Sequence, residues 1–161
     1  MKRRLTLTLV GAALIGLALA GCATSAPSAP SASAPAAGTD ATVATTTLGR
    51  VVVDGKGMTA YFFDNDQANS GSSTCTGQCE TIWPAITSKS STPTVTGITG
   101  IVGTITGVAG GKQVTINGRP IYTYAGDKAP GDTNGQGVSG IWYVVAPSGN
   151  EIKSAATKSG Y

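Results

Sequence analysis

Two cysteines, Cys75 and Cys79, have the most reactive side chains in the sequence. Three residues separate them, so that the two sulfurs can meet. In an oxidising compartment this spacing predicts a disulfide, whose small loop would stabilise the fold by about 2 kcal/mol. The same two sulfurs, if reduced, could bind Cu(I) with Met58 as a third ligand, or exchange electrons. Zinc is a poorer fit, because a closed site needs four nitrogen or sulfur ligands. We therefore predict a structural disulfide and keep copper binding or thiol redox chemistry as the alternative.

The sequence contains no histidine, which excludes a Ser-His-Asp or Cys-His catalytic arrangement. Carboxylates that could act in pairs, as in glycoside hydrolysis, remain at Glu80, Asp66 and Asp127. The chain is short for a polysaccharide cleft. We therefore expect no enzymatic activity and no cofactor.

Acidic and amide side chains in two loops raise the question of calcium. They are Asp64, Asp66, Asn69, Asp127, Asp132 and Asn134. Their spacing does not match an EF-hand loop, and the terminal bidentate Glu is missing. We expect these residues to fix turns, and no metal site is predicted.

The amino terminus is typical of an export signal. A basic start, Met1 to Arg4, precedes about 16 uncharged residues, fewer than the roughly 20 that cross a bilayer as a permanent helix. The run ends in Leu-Ala-Gly-Cys at Cys22, which resembles a bacterial lipobox. We predict a signal peptide over residues 1–21, a lipid on Cys22, and an extracytoplasmic protein anchored to the bacterial membrane in the cell envelope.

Loss of the signal peptide changes the charge of the chain. Three of the 11 Lys and Arg residues lie before Cys22, so the remaining eight balance the eight acidic residues. A neutral chain lacks the clustered positive charge that nucleic acid or anionic lipid would attract. Residues 22–46, rich in Ala, Ser and Pro, are predicted to be a disordered linker. The partners left open are an envelope protein or a glycan, and the oligomeric state is undetermined.

The remaining residues, 47–161, predict an all-β domain built from two related hairpin repeats, at about 48–87 and about 106–147. Each repeat has a strand, an Asp-Gly or Asn-Gly turn, a Tyr-x-aromatic-x-x-Asp motif, a long loop and a Trp. The motif residues are Tyr61, Phe63, Asp66 and Trp83 in the first repeat, and Tyr122, Tyr124, Asp127 and Trp142 in the second. The two units are expected to form a compact sandwich or a barrel-like domain.

Side chains two positions apart on a strand share a face, so Tyr61 lies with Phe63, and Tyr122 with Tyr124. If the two pairs face each other, they form an aromatic core, and each Asp accepts hydrogen bonds from turn N–H groups. If they face solvent, they form an aromatic and acidic surface suited to a glycan. The aromatic core is the preferred interpretation.

The duplicated motif, with Cys75-x-x-x-Cys79, Trp83-Pro84 and the Gly-rich run from Gly131 to Trp142, resembles a family of bacterial secreted-repeat lipoproteins of unknown function. The resemblance covers about residues 48 to 147. In that family the last Trp is often followed by His, whereas here Tyr143 follows it. The resemblance implies no established activity, so the sequence predicts a non-enzymatic binding or structural module of the cell envelope.

Overall fold

Strands dominate residues 38–107 and 111–153, the parts of the chain that the computed structural model describes. In chain order the elements are β1 (Ala41–Thr46), β2 (Gly49–Asp54), β3 (Tyr61–Phe63), the helix α1 (Gln78–Ile82), β4 (Thr87–Ser88), β5 (Val102–Thr106), β6 (Lys112–Ile116), β7 (Arg119–Pro120), a 3-10 turn (Val138–Gly140), β8 (Trp142–Val145) and β9 (Glu151–Ile152). The named strands pair antiparallel, which confirms the all-β class.

Each half begins with a hairpin of the same design, β1 with β2 and β5 with β6. The turn after β6 contains Asn117 and Gly118 at φ values of 50° and 77°, the positive values that a two-residue hairpin turn requires. The turn after β2 is longer, and the Asp54 carboxylate holds it by accepting from the N–H groups of Lys56 and Met58 at 2.8 and 2.9 Å. The turn at Asn117 and Gly118 is therefore confirmed, whereas after β2 a turn is present but its positive φ belongs to Gly57 and not to Asp54 or Gly55.

The two halves exchange their last strands. β8, which ends the second half, pairs with β3 of the first, so that Tyr61 lies opposite Val144. β4, which ends the first half, pairs with β6 of the second, and Ala85 just before β4 bridges Tyr122. Because each half supplies the strand that completes the other, the two repeats fold as one unit.

Side chains from β3 enter two separate clusters, as the two-residue period of a strand dictates. Phe62 joins the aliphatic cluster, which consists of Ala41, Val52, Ala60, Phe62, Ile86, Val114, Ile116, Ile121 and Val145. Tyr61 and Phe63 point the other way, into the aromatic cluster, which consists of Val51, Val53, Tyr61, Phe63, Cys75, Trp83, Tyr122, Trp142 and Val144.

The linker prediction was wrong for residues 41–46. Strand β1 occupies this stretch and pairs residue by residue with β2, from Ala41 opposite Asp54 to Thr46 opposite Gly49. The low hydrophobicity of this stretch suggested disorder. However, β-branched Thr and Val favour a strand, and the backbone of β1 bonds to β2, which is apolar. The second half likewise begins before residue 106, because β5 starts at Val102. The signal peptide, Cys22 and residues 22–37 lie outside the described residues.

Replacement of Gly118 tests the tight turn. In Gly118→Ala the new Cβ would lie 2.1 Å from Asn69 Oδ1 and 2.8 Å from the Asn69 backbone nitrogen. A positive φ costs roughly 1–2 kcal/mol and overpacking roughly 1–3 kcal/mol more. The control, Gly131→Ala, shares the positive φ but meets no atom within 4 Å. We expect urea denaturation to show a clearly larger loss for Gly118→Ala, and equal losses would contradict the close contact with Asn69.

Candidate functional site

The two Tyr-x-aromatic-x-x-Asp motifs lie side by side and run antiparallel. The N–H of Tyr61 donates to the carbonyl of Tyr122 at 2.8 Å, and the N–H of Tyr122 donates to the carbonyl of Tyr61 at 3.0 Å. Equivalent residues of the two repeats therefore exchange equivalent bonds. An approximate twofold axis passes between the two tyrosines.

Each tyrosine hydroxyl reaches the aspartate of the opposite repeat. The Tyr61 hydroxyl donates to Asp127 Oδ2 at 2.7 Å, and the Tyr122 hydroxyl donates to Asp66 Oδ2 at 2.5 Å. Both aspartates are buried, with 3% of Asp66 and 6% of Asp127 exposed. A buried carboxylate is costly unless hydrogen bonds satisfy it, so these two crossed bonds stabilise the contact between the repeats.

The second oxygen of each carboxylate holds the loop that follows its motif. Asp66 Oδ1 accepts from the N–H and the hydroxyl of Thr74, both at 2.7 Å. Asp127 Oδ1 accepts from the N–H of Asn134 at 2.9 Å. The expectation that these aspartates accept bonds from loop N–H groups is therefore confirmed. Neither the role of Thr74 nor the bond from the opposite tyrosine was predicted from the sequence, although Thr74 and Asn134 follow their aspartates at nearly equal spacing.

Burial sets the protonation of the tyrosines. Burial and the hydrogen bond to Asp127 raise the pKa of Tyr61 far above that of a free phenol. Burial and Asp66 do the same to the pKa of Tyr122, although a bond with Ser73 opposes them. Burial also raises the pKa of Asp127, against the hydrogen bonds from Tyr61 and Asn134. Both phenols therefore stay protonated and act as hydrogen-bond donors rather than as bases.

Four aromatic rings stack across the twofold axis. Trp83 and Trp142 lie at its centre, with ring centroids 3.7 Å apart and planes within 1° of parallel. Phe63 stacks on the outer face of Trp142 and Tyr124 on that of Trp83, both at 4.3 Å. The motif rings thus form the predicted aromatic core. Of the four motif aromatics outside the Trp pair, Tyr61, Phe63 and Tyr122 are buried, and Tyr124 is half-buried with one face against Trp83.

The two loop cysteines are bonded to each other. The Cα atoms of Cys75 and Cys79 are 5.3 Å apart, and the pair forms a disulfide. Cys75 is buried in the aromatic cluster, and the carbonyl of Cys79 accepts from the Trp83 N–H at 2.7 Å. The disulfide therefore fixes the chain just before Trp83. Met58, the third ligand of the copper alternative, lies in the turn after β2, and the described residues contain no group of three or more His, Cys, Asp or Glu that could hold a metal.

The other loop acids are also engaged. Asp132 accepts from the N–H groups of Lys128 and Ala129 at 2.7 and 3.0 Å, which is the turn-fixing role expected of it. Asp64 pairs with Arg119 at 3.3 Å and with Lys153 at 3.7 Å.

Glu151 completes this charged group by pairing with Arg119 and, at 2.9 Å, with Lys153. Burial and the neighbouring Glu151 raise the pKa of Asp64. Against the effect of burial, hydrogen bonds with Asp64, Arg119 and Lys153 lower the pKa of Glu151 to about 2. The group joins the end of β3 to β7 and β9.

These features define a class of β domain in which two interlocked repeats share one aromatic core. The chain matches the family described as a secreted repeat of unknown function twice, over residues 42–87 and 103–146. The protein therefore belongs to this family of secreted repeats, as its motifs predicted, and is an extracytoplasmic protein. Each match begins in the first strand of a hairpin, β1 or β5. No curated protein and no solved structure matches the chain.

Among the described residues, no helix has the length and apolar character needed to cross a membrane.

Removal of single hydroxyls tests the crossed bonds. We expect Tyr61→Phe and Tyr122→Phe each to lower the free energy of unfolding by about 1–3 kcal/mol, because each leaves a buried carboxylate short of a donor. The control is Tyr143→Phe, whose hydroxyl bonds the Gly140 carbonyl at an exposed site and whose loss should cost less than about 0.5 kcal/mol. Urea denaturation measures all three. Losses no larger than that of Tyr143→Phe would show that the two crossed hydroxyl bonds do not stabilise the contact between the repeats.

Removal of the disulfide tests its structural role. We expect the double variant Cys75→Ser with Cys79→Ser to fold with an unfolding free energy lower by about 2 kcal/mol, the entropy of a small closed loop. In the unchanged protein, unfolded in denaturant, these two thiols should titrate only after reduction. Two free thiols without reduction would contradict the disulfide.

Proposed function

We propose that this protein is a lipid-anchored, non-enzymatic interaction or structural module of the cell envelope. The observation that carries this proposal is the internal use of the motif: its tyrosines, aspartates and tryptophans bind one another across the twofold axis. The motif therefore builds the domain, and the outer surface is left for contacts with partners.

The state of the buried polar groups supports a non-enzymatic role. Both carboxylates already accept bonds at each oxygen, and the Ser73 hydroxyl lies 2.6 Å from the Tyr122 hydroxyl. Because the pKa of Tyr122 is raised, this phenol is a poor base for activating Ser73. The full sequence also contains no histidine to take that role.

The sequence around Cys22 supports the anchor. It combines a basic start, an apolar run too short to span a bilayer and a lipobox-like Leu-Ala-Gly-Cys. A thiol at that position would receive the lipid, and cleavage before it would leave the lipidated residue as the new amino terminus. The family's secreted character fits this route of export.

Labelling of cells with radioactive palmitate tests the anchor. We expect label on the unchanged chain and recovery in the membrane fraction that only detergent releases. Cys22→Ser should lose the label, because no thiol can accept the lipid. The control Ala23→Ser, one position on, should keep it. Label on the Cys22→Ser chain would contradict the proposed anchor.

A further inference from the structure

In the part of the chain that the structure describes, strand β5 lies at the edge of its sheet. Alternate residues of β5 direct their backbone N–H and carbonyl groups toward β6. The register shows this, together with the bonds from Asn117 N–H to the Ile101 carbonyl and from Gly107 N–H to the Gly111 carbonyl. The backbone groups of Val102, Thr104 and Thr106 therefore point away from it. They have no hydrogen-bond partner among residues 38–107 and 111–153. Such an edge is a template for another strand.

The equivalent edge of the first repeat is partly covered. The segment between the repeats crosses β1, where the Thr96 N–H donates to the Ala41 carbonyl and Val95 bridges Ala41. Near β5 the same segment accepts a hydrogen bond from a side chain, the Thr104 hydroxyl, which donates to the Ser91 carbonyl at 3.4 Å. Within residues 38–107 and 111–153, no strand pairs with the outer edge of β5, and Ile101 on the other face is 80% exposed.

On that face, isoleucine side chains alternate with glycines, which have no side chain. These residues are Ile101, Gly103, Ile105 and Gly107, and Ile101 is 80% exposed. A cleft of about 280 Å³ lies along this face, with Ile101, Gly103, Ile105 and Thr115 among its lining residues. The face thus presents two isoleucines that alternate with two glycines, of which Gly103 lines the cleft.

We propose that β5 pairs antiparallel with β5 of a second copy of this chain, about a twofold axis through Thr104. This register uses the full strand and places Val102 opposite Thr106 of the second copy. It also sets each isoleucine against a glycine: Ile101 meets Gly107, and Ile105 meets Gly103. Antiparallel pairing of one strand with itself is a closed, isologous contact.

Charge also favours a second copy as the occupant. Residues 90–111 contain no charged side chain, and β5 contains no proline, the two devices that most often block edge pairing. Two identical strands therefore approach without like-charge repulsion. A strongly charged partner strand would find no counter-charge on β5.

The small size of the contact indicates that it forms between copies held on one membrane. Pairing of two strands of five residues buries less than the roughly 1,000 Å² of a stable interface, so the contact is weak in dilute solution. Confinement of both copies to one membrane raises their effective concentration. The inference thus rests on the proposed function, and it names the partner of the interaction module.

Cysteine cross-linking of the full chain in bacterial cells tests the pairing. Thr104→Cys places two sulfurs across the axis on Cα atoms about 5.5 Å apart, within disulfide range. We expect a dimer band on non-reducing gels that reduction removes. Thr106→Cys is the register control, because its own copy lies four residues away along the strand, and Thr45→Cys on β1 is the control for random collision. Both should give at most a tenth of the Thr104→Cys dimer.

A second change in the same chain tests the isoleucine contact. Ile101→Asp combined with Thr104→Cys should lower the dimer about tenfold, because the acid would lie unpaired in the new contact. The side chain is exposed in the single copy, so the fold is unaffected.

The result overturns the inference if Thr104→Cys gives no more dimer than Thr45→Cys, if Thr106→Cys gives as much, or if the adduct differs in mass from two chains. Palmitate label on the same gels separates the two proposals. Labelled chains that stay monomeric would refute the pairing and leave the anchor standing, whereas unlabelled chains that cross-link at Thr104→Cys would refute the anchor and support the pairing.

Discussion

Two hydrogen bonds that cross between the repeats are the interaction on which the rest of the structure depends. A carboxylate inside a protein is tolerated only when its oxygens are bonded, and each aspartate accepts bonds on one oxygen from its own loop and on the other from the tyrosine of the other repeat. Loss of the contact between repeats would leave one oxygen of each carboxylate, and both phenol hydroxyls, without these bonds. Loop, strand and repeat are therefore coupled at Asp66 and Asp127.

The twofold relation also explains the aromatic core. Trp83 and Trp142 hold equivalent places after their loops, so they meet on the axis, and Phe63 and Tyr124 hold equivalent places outside them. The two loops that deliver the tryptophans are built differently. The first is closed by the disulfide, whereas the second contains Gly135, packed so closely against Tyr61 and Trp83 that a Cβ would lie within 3 Å of either ring.

Much of this could be predicted from the sequence, because it depends on local rules. The positive-φ turn at Asn117, the shared face of Tyr61 and Phe63 and the pairing of two nearby cysteines all follow from the residues themselves. The exchange of strands could not be predicted, because a two-residue period shows which face a side chain occupies and not which strand lies beside it. For the same reason the bond between Tyr122 and Asp66 could not be predicted. Strand β1 could not be predicted either, because its strand character depends on pairing with β2.

The connection between the repeats breaks the symmetry that the core imposes. A twofold arrangement of two hairpins creates two equivalent outer edges, at β1 and β5. Only one segment joins the repeats, and it can lie along only one of those edges. It bonds to Ala41 of β1 through Thr96 and, near β5, accepts a hydrogen bond from the side chain of Thr104. Within residues 38–107 and 111–153, the edge of the second repeat at β5 is therefore left with backbone groups that could bond to a partner.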